Sequence, residues 1–194
     1  MSKFMMINGH ENQNLIIPDD FVEVSRETEP RNGEQVSVVR YQKAGAIVYN
    51  NPHITVVFGA DNRFISYNNF SFEADGPLPS SHEAVKIAEQ VFQSVDPTYA
   101  TGLSYMRIDK ETRTFTNDAG TLITTPILWV KFSHRNGSYN WVSIGPNNEI
   151  VEVERESLWD FNQWRRATEE WNIDDWVLAR QGKGPQLQAP SALA

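Results

Sequence analysis

Few residues in this chain are of a kind that does chemistry, and they are scattered. His10, His53, His82 and His134 are its four imidazoles. None has a second histidine or a carboxylate three or four positions away within a helical pattern, the spacing that puts two metal ligands on one face. His82 stands beside Glu83, but consecutive helix residues point about 100° apart. Hydroxyl and imidazole meet at Ser80-Ser81-His82, yet no Gly-x-Ser-x-Gly elbow frames them. Ser80 followed by Glu83 has instead the capping-box spacing, in which each side chain satisfies a backbone N–H left open at a helix start. Gly182-Lys183-Gly184 lacks the preceding strand and following helix that would aim N–H groups at a phosphate. Asp19-Asp20 and Asp174-Asp175 are immediate neighbours, which suits the start of a turn or helix better than a shared proton. The absence of cysteine removes disulfides, thiolate metal sites and sulfur nucleophiles together. The sequence therefore offers no catalytic residue, no metal ligand set and no cofactor motif.

Tryptophan is the more informative residue. Four of the six lie between positions 159 and 176. Phe161, Trp164, Thr168 and Trp171 are spaced as on a helix, with Trp159 and Trp176 flanking them. Tryptophan is enriched at the energetic centres of interfaces, so Trp159, Trp164, Trp171 and Trp176 are the candidate interaction residues. The same spacing describes a helix packed on a sheet, and the two readings stand side by side.

Composition narrows the partners. A formal net charge of −8 over 194 residues repels phosphate backbones, which disfavours nucleic acid; Arg135, Arg165 and Arg166 read as a solvated face. A 40% hydrophobic content with ten Phe is enough for a substantial core in one medium domain or two closely packed lobes. The apolar patch Phe4 to Ile7 is too short for a signal peptide, and no run approaches the roughly 18 residues that cross a bilayer. The expected location is the cytoplasm, or outside it if the sequence is a piece of an anchored protein.

The elements that must position these residues follow from turns and periodicity. Residues 1–34 are polar and turn-rich and predict a lead segment with one short strand. Residues 35–76 alternate β-rich runs with Gly45, Asn50-Asn51-Pro52 and Gly59-Ala60-Asp61-Asn62, the pattern of an antiparallel meander. A helix over about 80–94 follows from the Ser80 cap, from Ala84, Ile87, Ala88 and Val91 on one face, and from Asp96-Pro97 as its stop. Strands resume to about 156. If Asn136-Gly137 form a two-residue turn, Phe132 lies opposite Trp141, Val130 opposite Ser143, Trp129 opposite Ile144 and Lys131 opposite Val142. That register puts large apolar groups on both faces of the hairpin and requires two covers. The 80–94 helix is one; a Trp-rich helical segment at 157–181 is the other, ahead of a flexible tail at 182–194. The fold class is α+β: antiparallel sheets in meander and hairpin arrangement, with one amphipathic helix packed on the sheet and a C-terminal Trp-rich helix.

The run Leu78-Pro79-Ser80-Ser81-His82-Glu83-Ala84-Val85-Lys86-Ile87-Ala88-Glu89, followed by strands ending in Trp141-Val142-Ser143-Ile144-Gly145-Pro146-Asn147-Asn148-Glu149-Ile150-Val151-Glu152-Val153, resembles the PepSY-type domain family. Members open with a Ser-x-x-Glu-Ala-x-x-x-Ala helix, here Ser80, Glu83, Ala84 and Ala88, and close with an antiparallel hairpin, here turning at Asn147-Asn148. Upstream, Arg40-Tyr41-Gln42, Gly45, Val48-Tyr49, Ile54, Val56, Phe58 and Asp61 are similar to the strand module preceding such domains in thermolysin-type peptidase propeptides, and the organisation resembles YycI-like regulators of bacterial sensor kinases. The resemblance covers about residues 40–154; no His-Glu-x-x-His peptidase motif accompanies it. It implies a bacterial, non-catalytic regulatory or inhibitory module with a protein partner. Two alternatives stand beside it: a small-molecule binder or enzyme with a cystatin-like pocket, and a self-associating homodimer.

Overall fold

The computed structural model describes residues 2–71 and 75–194. Local turn chemistry divides its first part more finely than the sequence pattern predicted. Asn8-Gly9 and Asn32-Gly33 both have positive φ at each residue (51° and 79°, 50° and 82°), the geometry of a two-residue hairpin turn. They close β1 (Ser2–Ile7) on β2 (His10–Pro18), and β3 (Phe21–Arg31) on β4 (Glu34–Lys43). The expected lead segment with one strand is therefore two hairpins, one of which enters the main sheet.

β4 continues into β5 (His53–Phe58) and β6 (Phe64–Phe70). After α1 (Ser81–Val95) and the short α2 (Pro97–Ala100), a second meander comprises β7 (Leu103–Thr116), β8 (Leu122–His134), β9 (Tyr139–Ile144) and β10 (Ile150–Ser157). The two meanders join through their last strands. Asn68, Tyr67 and Ser66 of β6 pair with Glu152, Val153 and Glu154 of β10, giving one antiparallel sheet in the order β3-β4-β5-β6-β10-β9-β8-β7. The two lobes expected at 35–76 and 77–156 thus share a continuous sheet; their junction includes residues 72–74, which lie outside the described residues.

Strand alternation sorts the two faces. Val39, Val56, Tyr67, Val153, Val142, Val130 and Ile108 are successive cross-strand partners from β4 to β7. Helix α1 packs on the β8–β9 part of this row with Ala84, Ala88, Val91, Phe92 and Val95, and Phe92 meets Phe132 edge to face at 5.4 Å. The β1–β2 hairpin adds Leu15 and Ile17, and the Tyr67 hydroxyl donates to Ile16 O at 2.7 Å. Each large side chain sealed here contributes roughly 1.5–3 kcal/mol. The predicted cap is present: Ser80 Oγ accepts from Glu83 N at 3.3 Å, and Glu83 Oε2 accepts from Ser80 N at 3.0 Å.

The β8–β9 register differs from the expected one by a single residue. Trp129 pairs with Ser143, Val130 with Val142, Lys131 with Trp141 and Phe132 with Asn140. Arg135 joins the loop, which becomes three residues long: Gly137 N donates to His134 O at 2.9 Å, and Gly137 takes φ 90°. This is the type I turn followed by a left-handed glycine that suits a three-residue hairpin. A one-residue slip exchanges faces. Val130, Phe132, Val142 and Ile144 now point together to α1, leaving Trp129, Lys131, Trp141 and Ser143 on the opposite side.

That opposite side is covered by the C-terminal segment, but not by a helix over 157–181. Asp160 Oδ1 accepts from the backbone N–H groups of Asn162 (2.8 Å) and Gln163 (3.1 Å), and Trp164 sits at φ 53°. This side-chain turn competes with helix formation, so β11 (Trp159–Asp160) folds back on β12 (Arg165–Arg166). Helix is confined to α3 (Asp174–Arg180). The expected flexible tail also packs: Ala192 is buried, its N–H donates to Glu170 Oε1 at 3.0 Å, and its carbonyl accepts from Trp176 Nε1 at 3.2 Å.

Candidate ligand cleft

Beneath the C-terminal segment, the sheet carries polar rows. Arg40, Thr55, Asn68, Glu152, Ser143, Trp129 and Asp109 are successive partners across it, and beside them run Ser66, Glu154, Trp141, Lys131 and Arg107. The sheet curls around this face. At the tip of the β7–β8 hairpin, Thr116 N donates to Asn50 O at 2.8 Å and Asp118 meets Lys43 Nζ at 2.5 Å, so the hairpin reaches back to the β4–β5 connection.

Side chains anchor the C-terminal segment across one half of this concave face. Asn172 Nδ2 donates to Asn68 Oδ1 (2.6 Å) and Glu154 Oε2 (3.0 Å), while Glu154 Oε1 takes Arg31 (2.8 Å) and Arg166 (3.0 Å). Farther along, Arg40 holds Asp174 at 2.6 and 3.0 Å, and Asp174 also accepts from Asn50 N at 2.6 Å. His53 lies behind this pair, stacked on Phe70, with Nε2 3.7 Å from Asp174 and Nδ1 2.6 Å from Asn51 O. Burial pushes the imidazole down to about 4, against the pull of Asp174. The arrangement ties α3 to the β4–β5 end of the sheet.

The other half remains open as a cleft of about 710 Å³ between β7–β10 and the 157–173 segment. Trp129 and Trp141 meet edge to face at 5.4 Å in its floor. Lys131 Nζ lies 3.4 Å from the centroid of the Trp129 ring and 2.7 Å from Asp109, and the Arg166 guanidinium lies 4.8 Å from the centroid of Trp141. Arg113 grips Glu152 at 2.5 and 3.0 Å, and Ser143 Oγ donates to the same carboxylate at 2.5 Å. Burial alone would push the Glu152 carboxyl up; the charge and hydrogen bonds of Arg113, with the Ser143 hydroxyl, outweigh it and hold it below the usual range. Burial lowers the Lys131 ammonium, only partly opposed by Asp109. The rim carries exposed apolar side chains, Met106, Leu158, Phe161 (61%) and Trp164 (72%), with Trp159 half-buried beside them.

The four candidate tryptophans are thus divided. Trp159 and Trp164 line the cleft. Trp171 lies half-buried outside it, donating from Nε1 to Pro30 O at 2.7 Å and meeting Trp176 edge to face at 4.9 Å. Trp176 is fully buried and fastens the chain end. The residues that the sequence pattern did not single out, Trp129, Trp141, Arg113, Lys131 and Glu152, form the floor and walls together with Arg166, which is not on the expected solvated face: its side chain is 13% exposed and pairs with Glu154 and Glu170. The signal for Trp129, Lys131 and Trp141 is the alternation Trp129-x-Lys131 and Trp141-x-Ser143, which reads as one polar-aromatic face once the hairpin register is placed correctly.

Other chemical candidates have structural roles or stand alone. His134 stacks on Tyr99 at 4.1 Å, and His10 and His82 are exposed. Among the described residues no three His, Asp or Glu side chains converge as a metal site, and no helix is long and apolar enough to cross a membrane. No protein-family model matches the chain, and neither a curated protein nor a solved structure matches it.

Proposed function

We propose that this protein is a binding module whose ligand occupies the cleft between β7–β10 and the 157–173 segment. The observation that carries this reading is the combination of a floor whose charged groups are paired with one another and an exposed aromatic rim. Binding sites of this size are commonly apolar and aromatic with a few fixed polar groups, and here Arg113, Glu152 and Ser143 are fixed by one another before any ligand arrives. Preorganisation of that kind reduces the entropy lost on binding. Glu152, held ionised, is suited to accept hydrogen bonds from a ligand.

A protein segment is the second reading, favoured by Met106, Leu158, Phe161 and Trp164, which together present apolar groups as interface anchors do. The order of α1 followed by the β7–β10 meander supports a PepSY-like, regulatory placement of that second reading.

Prodan, a neutral solvatochromic naphthalene, tests the site itself. Wild type is expected to bind it with a blue-shifted emission, and the triple variant Trp159→Ala/Phe161→Ala/Trp164→Ala is expected to lose that signal at unchanged circular dichroism. Equal dye binding by wild type and variant would reject the cleft as the site, as would a wild type that binds none.

A further inference from the structure

Taking the cleft as the binding site, we infer that its occupant is a neutral carbohydrate, a short oligosaccharide whose sugar rings stack on the rim aromatics Trp159, Phe161 and Trp164 while its hydroxyls reach the ion pairs of the floor.

The pairing of the lining charges disfavours the main competitors. Each of the four cations lining the cleft already has a carboxylate: Arg107 and Lys131 share Asp109 at 3.1 and 2.7 Å, Arg113 has Glu152, and Arg166 has Glu154 and Glu170 at 3.0 and 3.1 Å. An anionic ligand that drew Arg113 away would leave the buried Glu152 carboxylate with only the Ser143 hydroxyl, a costly exchange. A net charge of −8 adds long-range repulsion. An alkyl chain fails for a different reason. Laid on the floor it would strip water from the remaining lone pairs and N–H groups of these ion pairs and return no hydrogen bonds.

Hydroxyl groups meet both demands. Each can donate to the partly exposed Asp109 carboxylate or accept from a guanidinium N–H of Arg107 or Arg113 without breaking the existing pair, because a carboxylate has about four acceptor sites and a guanidinium five donors. Trp129 lines the cleft with its ring, while its Nε1–H is buried and without an acceptor. The C–H face of a pyranose is weakly electropositive and apolar, which matches the negative face of an exposed indole. The aromatic groups at the rim are those with free surface: Trp164 is 72% and Phe161 61% exposed.

The test is a glycan array of neutral oligosaccharides of two to six units, with sialylated and sulfated glycans as the anionic arm, probed in parallel with prodan. Wild type is expected to bind neutral glycans, and Trp164→Ala to weaken the best of them at least tenfold while Leu122→Ala, an exposed change at the far end of the β7–β8 hairpin, leaves it unchanged. Prodan binding without any neutral-glycan binding would overturn the carbohydrate assignment and leave the cleft reading intact. Preference for anionic glycans, or neutral binding insensitive to Trp164→Ala, would also overturn it. Failure of prodan and glycans together would reject the cleft itself.

Discussion

Arg113 of β7 and Glu152 of β10 form a two-point ion pair although β8 and β9 lie between their strands. Three strand spacings in a flat sheet are about 14 Å, so the contact exists because the β7–β8 hairpin arches over the concave face. The pair is at once a wall of the cleft and a measure of the sheet's curl. Glu152 on β10 also connects the two meanders, since Asn68 of β6 is its neighbour on one side and Ser143 of β9 on the other.

Removing Arg113 should therefore cost more than removing its partner. Arg113→Leu leaves a deeply buried carboxylate with only Ser143, and a loss of about 3 kcal/mol in unfolding free energy is expected. Glu152→Gln leaves Arg113 partly in water, with an expected loss of about 1–2 kcal/mol. Urea denaturation at pH 7 measures both. Because the Glu152 carboxyl lies lower in the folded chain than in the unfolded one, its contribution is complete above the ordinary glutamate range and fades as pH falls through the folded value. The wild type and Glu152→Gln should thus converge in acid; a difference that persists below that range would contradict the ionised pairing.

His53 sets a second and separate acid dependence. The imidazole titrates near 6.5 when unfolded and near 4 when folded, so between these values the unfolded chain binds more protons and stability falls as pH falls. The gap corresponds to about 3 kcal/mol when fully expressed. Glu149, raised by burial, works in the opposite direction over part of this window, so a comparison with a variant isolates the histidine. His53→Asn is expected to be less stable than wild type at pH 7 and to show a flatter decline between pH 6.5 and 4.5. Parallel declines would show that His53 does not remain neutral in the folded chain.

The turn at Asn136-Gly137 shows what was legible in the sequence and what was not. Its position and its glycine were readable from local chemistry, as were the Ser80–Glu83 capping box, the apolar stripe of α1, the antiparallel meanders and the need for a second cover. The register was not, because two-residue and three-residue loops share the same Asn-Gly and differ only in whether Arg135 belongs to the strand. That single ambiguity exchanged faces and hid the Trp129, Lys131, Trp141 and Ser143 grouping. The helical reading of Phe161 to Trp171 fails for a related reason: helical spacing of aromatics is also produced by a loop whose turns are set by Asp160. Arg113 and Glu152 lie 39 residues apart, and no local pattern connects them.

Gly137 gives that register a direct test. At φ 90° an alanine is strained although nothing lies within 4 Å of its Cβ position, so the cost is conformational alone. Gly137→Ala is expected to lower stability by about 1 kcal/mol. Chemical denaturation that finds the variant as stable as wild type would mean that the loop does not place Gly137 in the left-handed region.

The division among the tryptophans makes opposite predictions for two residues only twelve positions apart. Trp176 is fully buried, meets Trp171 at 4.9 Å and donates to Ala192 O, so Trp176→Ala opens a large void and frees the chain end; a loss of about 3–5 kcal/mol is expected. Its limited proteolysis should also be faster than that of the wild type between residues 182 and 194, where Ala192 loses its anchor. Trp164 is mostly in solvent, and Trp164→Ala should change stability by less than about 0.5 kcal/mol while abolishing or weakening ligand binding in the cleft. Thermal unfolding and dye titration of the two variants separate the roles. If Trp164→Ala destabilised the fold as Trp176→Ala does, Trp164 would belong to the core, and the rim of the cleft would lose its principal stacking surface.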